Sequence, residues 1–398
     1  GIYADGTVEI DNVALDITAR RNVGIEMHSY ESNDKTIIRN SNVTVVGDTT
    51  GNGIQGVQSF GDLFIENSIV DVKGDGVGID MSDGKSITIS GENTVVSVKS
   101  IGEADDWIIN DAAILLMSKT DYDTHESTMP DFTLNDGLAV ITPDAGRIDV
   151  VDNDYKTVVK TDGSYAREVV IKTPTEHCIC GKENCTVHTG TIKHVADNSL
   201  NLVSGIKDGA TVTSGNYYLS DDLEISGEKQ LPVSGTVNIC LNGHKLEANI
   251  IPAENAVLNI CDCESSGTAG QITNSSGHVI AFRNNGSTVN IYGGTFETTY
   301  NTNTIIDFEG YSGNTLNLYG GTVKYEAADS NTAIGSRTLT VNLYGGKVVT
   351  GKSNGIVVLN GKINLLGNTK ISVPSGYDSI KAIYDKFGIC PNTLFGLD

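Results

Sequence analysis

Cys178, Cys180, Cys185 and His188 fall within eleven residues of the stretch "HCICGKENCTVH", with His177 and His194 alongside. Three thiolates and an imidazole at this spacing can close a tetrahedral zinc site in a segment that has little apolar content of its own. The C-x-C opening differs from the commoner C-x-x-C. Two other readings therefore stand beside zinc: a disulfide from Cys178 or Cys180 to Cys185, and reduced thiols. A closed Cys3His set is structural, because no position is left open for a reacting water. Further on, Cys240 and Cys261 hold equivalent places in two repeated phrases, where either a disulfide between neighbouring coils or a ladder of small side chains is expected. Cys263 can replace either partner, and Cys390 has none in sequence.

Carboxylates are the second group with chemical potential. Asp105-Asp106 resembles the paired aspartates of polygalacturonases, but the companion Gly-His-Gly and Arg-Ile-Lys motifs are missing. Glycoside hydrolysis needs two carboxylates across one groove, and a lyase needs a base such as Arg or Lys beside acids. Arg147 near Asp149, Asp152 and Asp154 is the best such cluster, and a solvated charge run accounts for it as well. "DVVDNDY" at 149–155 and "DYD" at 121–123 also offer oxygen ligands for calcium, without a complete calcium-binding loop. The expectation is a protein without catalytic machinery.

The third group is ordered by repetition. "TVNIYGGTFE" at 288–297 returns as "TLNLYGGTVK" from 315 and "TVNLYGGKVV" from 340. Val289 and Ile291 fall on one face of an extended segment and Asn290 and Tyr292 on the other, which is the pattern of a half-buried strand. Gly293-Gly294 then supplies a corner with positive φ, and Phe296 restarts the apolar face. Tyr292, Tyr319 and Tyr344 should form an outward aromatic column beside a ladder of Asn290, Asn317 and Asn342. Such a column is a platform for sugar rings through stacking and hydrogen bonds, or simply a stabilising stack.

Weaker copies extend the asparagine register to Asn238, Asn259 and Asn364, with intervals of 21, 31, 27, 25 and 22 residues. Constant phrases separated by elastic spacers are what a parallel β-helix requires, since strands must restack while loops vary freely. Residues 1–172 repeat a related phrase that aligns on Ile10, Ile38, Ile65, Ile89 and Leu134. The last interval, 45 residues, is too long for one coil, so residues 101–130 are expected to carry an inserted loop.

The predicted organisation is thus an acidic β-helix array at 1–172, a Cys/His connector at 173–200, a second array at 201–376 and a C-terminal cap at 377–398. In the cap, Ile380, Ile383 and Phe387 have the spacing of a short helix. The first 172 residues carry 30 acidic and 13 basic side chains, net −17, out of −23 for the whole chain. That acidity argues against nucleic acid as a partner. No apolar run is long enough to span a membrane. Gly1 followed at once by an array-like phrase is expected of a segment cut from a longer precursor. The Asn, Thr, Ser and Gly surface with little lysine reads as extracellular.

The run "HCICGKENCTVH", followed by "GNYYLSDDLEI", "VNICLNGHKLE" and "LNICDC", resembles a module of large secreted surface proteins of gut Firmicutes. These are similar in pattern to pectin-lyase-like right-handed β-helices and are grouped with adhesins. The resemblance covers roughly residues 177–375, and it implies a right-handed parallel β-helix, an extracellular or cell-surface location, and a glycan or host-surface protein as partner. The alternatives are a β-helix lyase or glycoside hydrolase acting on acidic polysaccharide, and a purely structural stalk.

Overall fold

The computed structural model describes residues 1–19, 23–29, 33–47, 55–102, 112–121, 123–183, 185–226, 228–263, 268–298, 304–308, 311–326 and 332–383. The chain is a parallel β-solenoid of about 13 turns with about 3% helix. It divides into two compact units, residues 1–175 with 194–197, and residues 176–193 with 198–398. No helix among the described residues is long and apolar enough to cross a membrane.

In the second unit each coil gives one strand to each of three seven-stranded parallel sheets. The repeated phrase is the corner between two of them. Thr288–Ile291 lies in the first sheet, with Val289 and Ile291 fully buried. It pairs in register with Thr315–Leu318, and that strand pairs with Thr340–Leu343. Thr295–Thr298 then opens the second sheet and buries Phe296. The two glycines at the corner have separate reasons. Gly294, Gly321 and Gly346 take φ of +84°, +74° and +77°, where a Cβ is strained. The glycine before each keeps ordinary φ, but a Cβ on Gly320 or Gly345 would meet the carbonyl oxygen of Tyr292 or Tyr319 in the coil below. Phe282, Phe296 and Tyr325 are the largest side chains sealed inside.

The first unit stacks on the register expected from its phrases: Ile10 pairs with Ile38, Ile38 with Ile65, Ile65 with Ile89, and Ile89 with Leu134. The long interval contains a coil strand, Ile114–Met117, beside Ile79–Met81, and then a small antiparallel pair, Lys119–Thr120 with Ser127–Thr128. The array ends by reversing direction. Arg147–Val151 and Tyr155–Val159 form an antiparallel hairpin, and Glu168–Lys172 runs antiparallel to Val95–Ser100. Strands laid against the stack in this way occupy edges that would otherwise pair with another chain.

One expectation is corrected here. Ile380–Ile383 is not helical; it is a strand paired with Asn354–Leu359, and the spacing of Ile380 and Ile383 serves a coil register with Ile356 and Leu359. Residues 384–398, with Phe387 and Cys390, lie outside the described residues. The acidic run at 149–155 is a hairpin turn: Asp152 and Asn153 take φ of +54° and +59°, a conformation that Asp and Asn tolerate better than other side chains.

Candidate functional site

The Cys/His segment folds as a short antiparallel hairpin, Glu176–Cys178 against Thr191–Lys193. Its loop is wound by the amide of Gly181 donating to Cys178 O at 2.8 Å and that of Cys178 donating to Lys182 O at 3.0 Å. Gly181 has φ +84°, and a Cβ there would stand 2.8 Å from Asp262 O, so the loop is pressed against the coils. The donor atoms of Cys178, Cys180, Cys185 and His188 all lie within 4.8 Å of one another. His188 Nδ1 is 3.3 Å from Cys185 Sγ. A tetrahedral zinc ion with ordinary bond lengths sets sulfur and nitrogen about 3.5 Å apart. The backbone amides of His188 and Val187 each donate to Cys185 Sγ at 3.4 Å. These amides, aided by the His188 ring, lower the Cys185 thiol to about 6, whereas burial pushes Cys178 up to about 12. The four side chains could hold a metal ion, and none of the six cysteines among the described residues is in a disulfide.

The hairpin lies on the outer face of the first sheet, over a hollow in one column. Tyr218 pairs with Cys240, and Cys240 with Cys261; the next rungs carry Tyr292, Tyr319 and Tyr344. Where the column has small cysteines, Ile179 and Ile192 of the hairpin pack down on them, together with Tyr218, Cys263 and Tyr292. His188 meets Tyr292 edge-on, with ring centroids 5.0 Å apart. Burial first, and then the neighbouring tyrosine, raise the Tyr292 hydroxyl to about 12.

Beyond the hairpin the column is open: Tyr319 and Tyr344 are 38% and 40% exposed. The rings stack on each other, Tyr292 on Tyr319 at 4.9 Å and 7°, Tyr319 on Tyr344 at 4.5 Å and 11°. Their faces are therefore turned along the coil axis and toward one another. Both faces of Tyr319 are thus covered by its neighbours' rings, so a sugar ring cannot stack on Tyr319 itself. The neighbouring asparagines form one continuous ladder. Each Nδ2 donates to Oδ1 of the coil below at 2.6–2.7 Å, from Asn364 through Asn342, Asn317, Asn290, Asn259 and Asn238 to Asn216. Asn216 is not legible in sequence, since "GNYYL" lacks the alternation of the other phrases. Asn317→Ala removes two of these bonds at a half-exposed site where water can substitute, and is expected to cost about 1 kcal/mol. An unfolding free energy from urea titration that falls by this amount with an unchanged slope checks it.

Of the acidic candidates, Asp105 and Asp106 lie outside the described residues. Arg147 and Asp149 form a local ion pair at 3.2 Å on the hairpin strand. Asp149 also accepts the amide of Val150, and Asp152 accepts the Tyr165 hydroxyl at 3.4 Å. Arg147 and Asp149 thus bond each other along one strand, and Asp152 bonds the segment that follows the hairpin. Asp121 likewise caps its own turn by accepting the amides of Asp123 and Thr124. The calcium candidates are not among the groups of metal donors that converge in the described residues.

Sequence reasoning passes over Asp80. Its flanks Ile79 and Met81 point into the core, and Asp80 itself is only 6% exposed. Burial raises its carboxyl to about 6, against two long bonds from Gln55 and Gln58 to Oδ2, and Oδ1 has no partner among the described residues. No family model, curated protein or solved structure matches the chain. The strand alternation of "GIDMS" assigns Asp80 to the outer face, where it is nevertheless buried.

Proposed function

We propose that the chain is a non-enzymatic recognition solenoid of the adhesin type, secreted or held at a cell surface, that binds a glycan or a host-surface protein on the open part of its tyrosine column. The observation that carries this reading is the exposure of Tyr319 and Tyr344 beside the asparagine ladder. On the rungs at 288–292, 315–319 and 340–344 every residue is uncharged, in a chain of net charge −23. Columns of threonine, asparagine and tyrosine recur there about every 4.8 Å. An amide has two N–H donors and two lone pairs, so one of each remains after the ladder is made. Tyrosine hydroxyls and these remaining amide groups suit a neutral, hydroxyl-rich chain lying along the axis, by hydrogen bonds rather than by stacking. The metal of the Cys178, Cys180, Cys185 and His188 loop is zinc in this reading, and structural, since the set is closed. It holds the hairpin in place at one end of the binding face.

The test is a glycan array with the purified chain, with and without added calcium, beside a reducing-sugar assay on the same polysaccharides. Binding without sugar release, weakened about tenfold or more by Tyr319→Ala, is the expected result. Binding that Tyr319→Ala leaves unchanged would move the site off this face. A second reading, a hydrolase or lyase acting on acidic polysaccharide, is favoured by one observation, the buried Asp80 carboxyl held at about 6. A carboxyl poised near neutrality suits proton transfer. Sugar release that Asp80→Asn abolishes would establish that reading instead.

A further inference from the structure

A second set of metal-binding side chains converges beneath the hairpin. Cys240 closes the strand Thr236–Cys240, and Cys263 follows the strand Val257–Cys261 on the next coil. Their sulfurs are 3.4 Å apart, and the donor atom of His177, from the first hairpin strand, lies within 4.8 Å of both. All three residues are buried. The histidine ring is also set for coordination. Its Nδ1 is 2.8 Å from the carbonyl oxygen of Cys178, which can only accept, so Nδ1 carries the proton and Nε2 presents its lone pair. A backbone carbonyl holding one ring nitrogen is the usual way a metal-binding imidazole is fixed in tautomer and direction.

We infer that His177, Cys240 and Cys263 hold a second zinc-class divalent ion, distinct from that of the Cys178–His188 loop. Two thiolates and an imidazole are the donor chemistry of such an ion, and sulfurs on one tetrahedral ion stand about 3.8 Å apart. A disulfide between Cys240 and Cys263 would need about 2.05 Å, well short of the 3.4 Å between these sulfurs. Cys261, the register partner of Cys240, is not one of the converging donors. The second ion has a different task from the first. The first folds the loop upon itself, whereas the second ties a hairpin strand to two successive coils.

The experiment is metal content per chain of the purified, reduced protein after exhaustive dialysis against metal-free buffer. Two zinc ions per chain are expected. Cys263→Ser or His177→Ala should halve the content, and Cys185→Ser should also halve it by emptying the loop. Circular dichroism and the urea midpoint of the coils confirm folding of each variant. Cobalt substitution separates the two sites: charge-transfer absorbance per ion should be about one and a half times stronger with three thiolates, in Cys263→Ser, than with two, in Cys185→Ser. A content of one ion per chain that Cys263→Ser and His177→Ala leave intact would overturn the second site while sparing the first. A Cys240–Cys263 disulfide found by intact mass without reductant would overturn it as well. If Cys185→Ser changes nothing while Cys263→Ser empties the protein, the loop reading fails and the second site stands.

Discussion

On the proposal that the Cys178–His188 loop holds zinc, a chelator under reducing conditions is expected to release the hairpin at 176–193 and leave the coils standing. The hairpin strands are three residues each, too short to persist unaided. Structural zinc in small domains contributes an apparent ~10–16 kcal/mol near neutral pH, far more than the buried Ile192 and half-buried Ile179, at most about 1.5–3 kcal/mol each. Hydrogen exchange should therefore accelerate by at least about a thousandfold at the amides of Cys178, Ile179 and Gly181, which are bonded only within the loop. The strands Thr315–Leu318 and Thr340–Leu343 are bonded on both sides by neighbouring coils and should change little. Hairpin amides that stay protected after the metal has gone would mean that Ile179 and Ile192 on Cys240 and Cys261 are sufficient by themselves.

Asp80→Asn is expected to stabilise the first unit at neutral pH and to do nothing in acid. The folded carboxyl keeps its proton up to about pH 6, against 3.8 for an ordinary aspartate, the value that holds in the unfolded chain. Between these values the folded state holds more protons than the unfolded one, so stability falls as pH rises. The loss is absent below about pH 3 and complete above about pH 7, where the shift corresponds to about 3 kcal/mol. Asparagine keeps the shape and an acceptor for Gln55 and Gln58 without the charge, and should recover about 2–3 kcal/mol. Urea unfolding of wild type and variant from pH 3 to pH 8 reads this directly. Curves that stay parallel across the range would show that Asp80 is ionised at little cost. If Asp80 also transfers protons in a reaction, the same variant gains stability and loses turnover, the usual trade at a strained site.

The coil register is legible because a strand repeats every two residues and a coil repeats its phrase. Ile10, Ile38, Ile65, Ile89 and Leu134 align in sequence and stack in space. Alternation says nothing about strand direction, so the reversal at 147–172 stays hidden. Its turn residues Asp152 and Asn153 look like ligands in sequence when their role is to accept left-handed backbone. Four donors inside one loop can be found by spacing, as Cys178, Cys180, Cys185 and His188 are. His177 and Cys263 are 86 residues apart, and only the stacking of coils brings them together. The tyrosine column stands where its phrases place it, but the stacking of its rings depends on side-chain torsions that a phrase does not encode.

The asparagine ladder has a polarity: in every bond the later coil donates and the earlier coil accepts. Every interior rung is thus interchangeable with its neighbours, and reversing one amide would set it against two others. The ladder consequently contains no record of how many rungs there should be. A coil duplicated or deleted between Asn290 and Asn342 restores the same series of bonds, and the uneven intervals of 27 and 25 residues show that spacer length is immaterial to it. As far as the ladder is concerned, length in this unit is an open variable, adjustable by whole-coil recombination in a gene without redesign of its bonds.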